Sequence, residues 1–394
     1  MRIRRLCSLL HRYTGLALAG LVGLAAVTGS LLVFTPELDR LLNPELLTAA
    51  PPREDAIPRP LAELLDAARR NHPGHQAVSI TPPARPGDAT AVWLKQPRAD
   101  EPGRFDWLQA LFDPYTGREL GARERSRIEV SRAGLLHLIN HLHGQLLLGE
   151  PGLWLMAGAA LAWTLTSLVG LYLWWPGRRK LRLALTVKRS AGAGRLLFDL
   201  HRAAGVYTLP VLLVLAVTGM YMARPATVKP VVGWFAPLDA DKPPRVEPRP
   251  GQAPLTPDEA VAAAQAALPQ GALKRIGLPQ SPRDTYAVSF LLPGEVRRPS
   301  GGRSTVWIDP WRGDALRVKD ATRLPAGEAY LAWQTPLHTG SAFGLPGRLL
   351  VAAAGPLALL LAATGVLMWW RRSHHPPRSS QALSRHRKHT ELPW

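Results

Sequence analysis

Four histidines stand at matching places in two halves of the chain, and imidazole can bind a metal or carry a proton near neutral pH. Leu10-His11-Arg12-x-x-Gly15 returns as Leu200-His201-Arg202-x-x-Gly205. Leu142-His143, followed by Gly149-Glu150-Pro151-Gly152, returns as Leu337-His338, followed by Gly344-Leu345-Pro346-Gly347. Thr28-Gly29 returns as Thr218-Gly219, and Gly170 with Trp174-Trp175 returns as Gly365 with Trp369-Trp370. Two imidazoles from different helices fill both axial positions of a haem iron. That suits electron transfer, because no position is left for oxygen or substrate.

Other residues fit the same chemistry. Gly15 and Gly205 lie four residues beyond their histidines, on the same helix face, where a flat porphyrin could approach the backbone. Gly29 and Gly219, five turns further on, return to that face. Arg12 and Arg202 would pair with haem propionates. The single cysteine, Cys7, and the lack of a Cys-x-x-Cys-His signature point to non-covalent haem b. His137 and His141 are spaced i,i+4 and compete with His143 as alternative ligands of the second site. Their counterparts in the other half are Ala332 and Pro336. For any one of these histidines the plainer alternative is an interfacial residue packing at a helix end. His72 and His75 read as surface residues. His374, His375, His386 and His389 fall in a basic segment expected to be a disordered, lipid-facing tail.

The elements that must hold these residues are apolar. Runs at 13–34, 151–175, 203–223 and 349–370 carry no Asp, Glu, Lys or Arg, and each can cross about 30 Å of hydrocarbon as a helix. The first run, preceded by Arg2, Arg4 and Arg5, is long for a signal peptide and has no clear A-x-A site after it, so it is expected to stay as an anchor. The net charge of +19 would suggest nucleic acid in a soluble protein. Here the cations gather before the first run, in the link with Arg178, Arg179, Lys180, Arg182, Lys188, Arg189 and Arg195, and after the last run with Arg371, Arg372, Arg378, Arg385, Arg387 and Lys388. The positive-inside rule then places both termini in the cytoplasm, with the basic segments against anionic lipid and no role for nucleic acid.

The expected organisation is an integral membrane α-helical protein, a four-helix transmembrane bundle with an internal pseudo-two-fold repeat and two α+β periplasmic domains. Its divisions are 1–35 (first membrane helix), 36–140 (first periplasmic domain), 141–176 (second membrane helix) and 177–200 (basic cytoplasmic loop). Then come 201–223 (third membrane helix), 224–335 (second periplasmic domain), 336–370 (fourth membrane helix) and 371–394 (cytoplasmic tail). The first domain predicts a helix at 61–71 and strands at 77–81, 89–96 and 104–113; the second, a helix at 258–268 and strands at 286–292 and 304–309. Thr256 with Glu259 forms a capping-box pattern. Phe112-Asp113-Pro114-Tyr115-Thr116-Gly117 matches Ile308-Asp309-Pro310-Trp311-Arg312-Gly313, turn chemistry that ends a strand the same way in each half. Because both halves run in one direction, their pseudo-two-fold axis lies along the membrane normal. That sets His11 opposite His201 at one level and His143 opposite His338 at another.

The Leu-His-Arg-x-x-Gly start, the Leu-His entry with Gly-x-Pro-Gly, the Gly and Trp-Trp exit and the Asp-Pro-x-x-Gly strand end resemble the PepSY-associated transmembrane family. The helix from Leu255 resembles the opening of a PepSY domain, which would make both soluble domains PepSY-like. Among the family's members the chain is most similar to FoxB-type inner-membrane ferric-siderophore reductases. That resemblance implies a four-helix protein of the bacterial inner membrane with two haem b, ligated by His11, His201, His143 and His338, passing electrons to ferric siderophores in the periplasm. No G-x-G-x-x-G fingerprint sits between a strand and a helix, so the donor is expected to be quinol or a cytoplasmic flavin/NAD(P)H reductase. Two other roles stay open. The same haem scaffold could reduce cupric ion or a periplasmic redox protein, or a haem-free scaffold could bind a periplasmic partner.

Overall fold

The computed structural model describes residues 2–53, 55–177, 180–188, 192–238, 242–299 and 301–374. Arg178, Arg179 and Arg189 of the basic link lie outside these, as do Arg378, Arg385, Arg387, Lys388, His375, His386 and His389 of the tail. The helices are α1 (Arg2–Leu32), α2 (Thr35–Leu42), α3 (Pro44–Leu47), α4 (Leu61–Asn71), α5 (Leu135–Gln145), α6 (Glu150–Trp174), α7 (Leu181–Ala184), α8 (Ala193–Ala223), α9 (Pro225–Gly233), α10 (Pro257–Ala267), α11 (Ala326–Thr339) and α12 (Gly344–His374). The strands are β1 (Gln76–Thr81), β2 (Thr90–Pro97), β3 (Phe105–Phe112), β4 (Glu119–Glu124), β5 (Ala272–Gly277), β6 (Tyr286–Leu291), β7 (Ser304–Ile308) and β8 (Ala315–Lys319).

The chain divides into two compact units, Met1–Ser30 with Ala157–Met220 and Ala352–Trp394, and Leu31–Met156 with Tyr221–Val351. Four helices, α1, α6, α8 and α12, are long and apolar enough to cross a membrane. In the first unit they meet through small side chains. Leu212, Ala354 and Ala358 are buried together, with Val22, Ala26, Trp163 and Leu361 packed around them. A Cβ at Gly355 would collide with the Ser30 hydroxyl, which donates to the Ala352 carbonyl at 2.9 Å. Without a hydrophobic driving force between helices in lipid, such backbone approach and cross-helix hydrogen bonding hold them together. α8 begins at Ala193, upstream of the expected start at 201, and α1 begins at Arg2, well before its apolar run, so His11 and His201 both lie inside their helices. The flanking Arg and Leu residues are good helix formers and extend the helix past the apolar run.

In the second unit all the strands join one antiparallel sheet in the order β4-β3-β2-β1-β5-β6-β7-β8. The two segments, each expected to carry its own α+β domain, contribute one half each. The seam is the β1–β5 pair, with Ser79 opposite Gly277 and Ile80 opposite Ile276. One face carries the core: Ile80, Val92, Leu94, Phe112, Ile276, Val288, Phe290, Val306 and Ile308, packed under Leu64, Leu65 and Ala68 of α4 and Ala260 and Ala264 of α10. The halves are also tied by a helix cap across the seam. Asp258 of α10 accepts hydrogen bonds from the backbone N–H groups of Leu61 and Ala62, at 2.8 and 2.9 Å, at the start of α4.

Local signals are realised as read. Thr256 and Glu259 form a capping box. Asp113 and Asp309 each accept from the backbone two residues on, both at 2.8 Å, and Gly117 and Gly313 take φ of 74° and 79°. Three short strands, β4, β5 and β8, go beyond the expected ones. α5 and α11 are separate helices that end before α6 and α12 begin, so His143 and His338 sit on these short helices and not on the membrane helices.

Candidate functional site

The first histidine pair lies in the membrane-helix unit. The rings of His11 on α1 and His201 on α8 stand with centroids 6.2 Å apart and planes at 78°. Each ring is held by the second membrane helix of its own half. His11 Nδ1 lies 3.0 Å from the Thr166 carbonyl of α6. His201 Nδ1 lies 3.1 Å from the Leu361 carbonyl and 3.0 Å from the Thr364 hydroxyl of α12. A carbonyl only accepts, so in both rings Nδ1 carries the proton and Nε2 keeps its lone pair, the tautomer a metal ligand needs.

The repeated glycines near the tryptophan pairs explain how the rings fit. A Cβ at Gly170 would come within 2.9 Å of His11 Cε1 and 3.3 Å of Nδ1, so α6 takes the ring only because that residue lacks a side chain. At Gly365 the same Cβ would meet His201 Cε1 at 3.6 Å, an ordinary contact. Gly170 and Gly365 were visible in the repeat as pattern without a role. Thr166 and Leu361 act through backbone carbonyls, one turn before each glycine, and leave no signal in residue type.

The second pair lies in the sheet-containing unit. His143 of α5 and His338 of α11 have ring centroids 6.2 Å apart and planes at 58°. Both helices end in left-handed backbone, at Leu146 (φ 54°) and Leu147 (φ 60°) in one half and at Gly340 (φ 74°) in the other. The Gly-x-Pro-Gly motifs then turn the chain. Gly149 and Gly344 adopt φ of 63° and 61°. A Cβ at Gly152 would collide with the Gln145 carbonyl, and one at Gly347 with the Gly340 carbonyl. The motif brings the end of each histidine helix against the first turn of the next.

The spacing suits one metal between two imidazoles. A nitrogen about 2 Å from a metal and roughly 1.1 Å from its own ring centre would set two ring centres about 6.2 Å apart. Among the described residues no group of three or more His, Cys, Asp or Glu gathers around either pair. A Cβ on Gly15 would meet nothing within 4 Å, and one on Gly205 only Leu361 at 3.7 Å.

The remaining candidates are placed differently. Arg202 forms an ion pair with buried Asp199 at 3.0 Å and donates to the carbonyls of Leu183 and Thr186, so it is engaged within the protein. Arg12 makes no ion pair among the described residues, because Leu9 stands where the other half has Asp199. His137 and His141 face one another on α5, with centroids 4.2 Å apart. Burial, then the neighbouring His141 and Arg125, push the His137 ring down to about 4; burial also lowers His141. Of His72 and His75, the first bonds Glu119 at 2.8 Å.

Four long apolar helices and a sheet-bearing unit fit a membrane protein with an α+β part. The chain belongs to the PepSY-associated TM region family, whose model matches residues 8–372. No match was found among curated proteins.

Proposed function

We propose that the chain is a membrane electron-transfer protein with two haem b, one between His11 and His201 and one between His143 and His338. The reading holds that it reduces ferric siderophores on the periplasmic side of the bacterial inner membrane, with both termini cytoplasmic. The observation that carries it is that two independent imidazole pairs, in separate units, share one 6.2 Å spacing. When bound, haem would supply a one-electron couple with no open coordination position. The chain's own part is to fix ring tautomer through the Thr166 and Leu361 carbonyls and to hold ring position through Gly170. Ferric siderophore as acceptor, and quinol or a cytoplasmic flavin/NAD(P)H reductase as donor, rest on the family resemblance and on the missing dinucleotide fingerprint. Reduction releases iron because hard oxygen chelators hold ferrous ion far less tightly than ferric ion.

The test is spectroscopic first. Dithionite-reduced protein should show a sharp b-type α-band near about 560 nm with two haems per chain. Protein purified from haem-replete cells with no such band would overturn the haem assignment and leave a scaffold for a periplasmic partner. Stopped-flow reoxidation by ferrioxamine, set against cupric ion, then decides the acceptor. Reoxidation by cupric ion alone would assign the same scaffold to a different substrate.

A further inference from the structure

A cavity of about 410 Å³ lies in the sheet-containing unit. It is lined from the sheet by Trp93, Trp107, Arg123 and Arg125, and from α5 by His137. Strand register puts these sheet residues on one face. Trp93 pairs with Gln109, Gln109 with Arg123 and Lys95 with Trp107, while the Arg125 backbone N–H donates to the Trp107 carbonyl. Residues directly opposite in antiparallel strands point the same way. The apolar core occupies the other face, and this one carries the cavity.

Arg123 shows what the cavity would bind. Its side chain is 4% exposed, and Nη1 alone holds both carboxylate oxygens of Asp39, at 3.0 and 2.8 Å. Nε and Nη2 are buried and have no partner among the described residues. These two atoms form the edge of a guanidinium that matches a carboxylate with two parallel N–H···O bonds. Arg125 adds a second cation, lying over the Trp93 ring at 5.9 Å, with Gln109 as its side-chain acceptor. Against two arginines the lining offers one carboxylate, Asp39, which leaves one positive charge uncompensated. His137 adds an imidazole to the polar lining, beside Thr35 and Asn140. Trp93 and Trp107 supply aromatic surface beside it.

We infer that this cavity is a binding site for a small, flat carboxylate, drawn by the Arg123 and Arg125 guanidinium groups and packed along Trp93 and Trp107. The inference does not depend on haem. The experiment is isothermal titration of the full chain in nanodiscs with 2-naphthoate and with its neutral isostere 2-naphthamide. Saturable binding of one naphthoate per chain is expected, with naphthamide at least about tenfold weaker, the scale of losing charge-assisted hydrogen bonds. Arg123→Lys keeps a cation for Asp39 but lacks the fork, and should weaken naphthoate by a similar factor. Ala133→Phe, from another wall of the cavity, leaves the Arg123–Asp39 pair untouched and should abolish binding, so the test stands even if Arg123→Lys does not fold. Only unsaturable partitioning, equal binding of the amide, or undiminished binding by Ala133→Phe would each overturn the site.

Discussion

Replacing Gly170 by alanine puts the histidine geometry to a quantitative test. The added Cβ would stand 2.9 Å from His11 Cε1, where carbon pairs settle at about 3.5–4.0 Å, so the ring must retreat by roughly 0.6 Å or more. Retreat strains the 3.0 Å hydrogen bond from Nδ1 to the Thr166 carbonyl. Overpacking costs about 1–3 kcal/mol and a lost hydrogen bond about 0.5–1.5 kcal/mol. Alanine's better helix propensity offsets about 1 kcal/mol of this in overall stability. That offset acts on α6 and does nothing for the ring. On the proposed haem assignment, a local cost of roughly 1–3 kcal/mol on ring position should weaken haem retention at the His11–His201 pair by about ten- to a hundredfold. Gly365→Ala is the control, since its Cβ meets His201 at 3.6 Å and α12 gains the same propensity. Haem per protein by pyridine haemochrome, after dialysis against apomyoglobin, should show Gly170→Ala losing one haem and Gly365→Ala losing none. Equal retention, or equal loss, in the two variants would refute the steric argument.

Three further outcomes follow from the same geometry. His143→Ala and His338→Ala should each remove the same haem, the double variant no more than either single one, while His141→Ala keeps it; haem counting with low-temperature spectra separates these cases. His137, held at about 4 against an ordinary 6.5, is lowered by burial first and by its cationic surroundings next. The unfolded chain therefore takes up this proton first as pH falls, and stability present above about pH 6.5 is lost between there and about pH 4. His137→Asn should flatten that part of the melting-temperature profile, and an unchanged slope would assign it to other groups. Asp258→Ala removes the cap that α10 places on α4 and should cost about 1–2 kcal/mol, with Asp258→Asn losing less; tryptophan-monitored unfolding of the two variants provides the check.

The fold was legible where the signal is local. Four long apolar runs and their flanking charges announce membrane helices whatever their neighbours, and Leu61–Asn71 reads as a helix from its own periodicity. β4, β5 and β8 were hidden for the opposite reason. Glu119-Leu-Gly-Ala-Arg-Glu and Ala272-Leu-Lys-Arg-Ile-Gly mix charge and glycine, and they are strands because a neighbour supplies half of their hydrogen bonds. The seam between β1 and β5 joins residues nearly 200 positions apart, and nothing in either strand names the other. α5 and α11 were merged with the membrane helices because Leu-rich sequence continues across their ends; left-handed residues and close backbone contacts at Gly152 and Gly347 divide them.

The pairing of the histidines came from the sequence alone, since a duplicated motif on helices of one direction admits few arrangements, and the rings are found in those pairs. Only the tertiary structure decided which nitrogen each membrane-helix histidine presents. Carbonyls of α6 and α12 hold Nδ1, and a backbone carbonyl is the same atom in every residue type. It also separated Arg202, tied to Asp199, from Arg12, and gathered Arg123, Trp93, Trp107 and His137 around one cavity. Those residues come from two strands, an edge strand and a helix. Their meeting depends on strand order and packing, which a linear spacing does not encode.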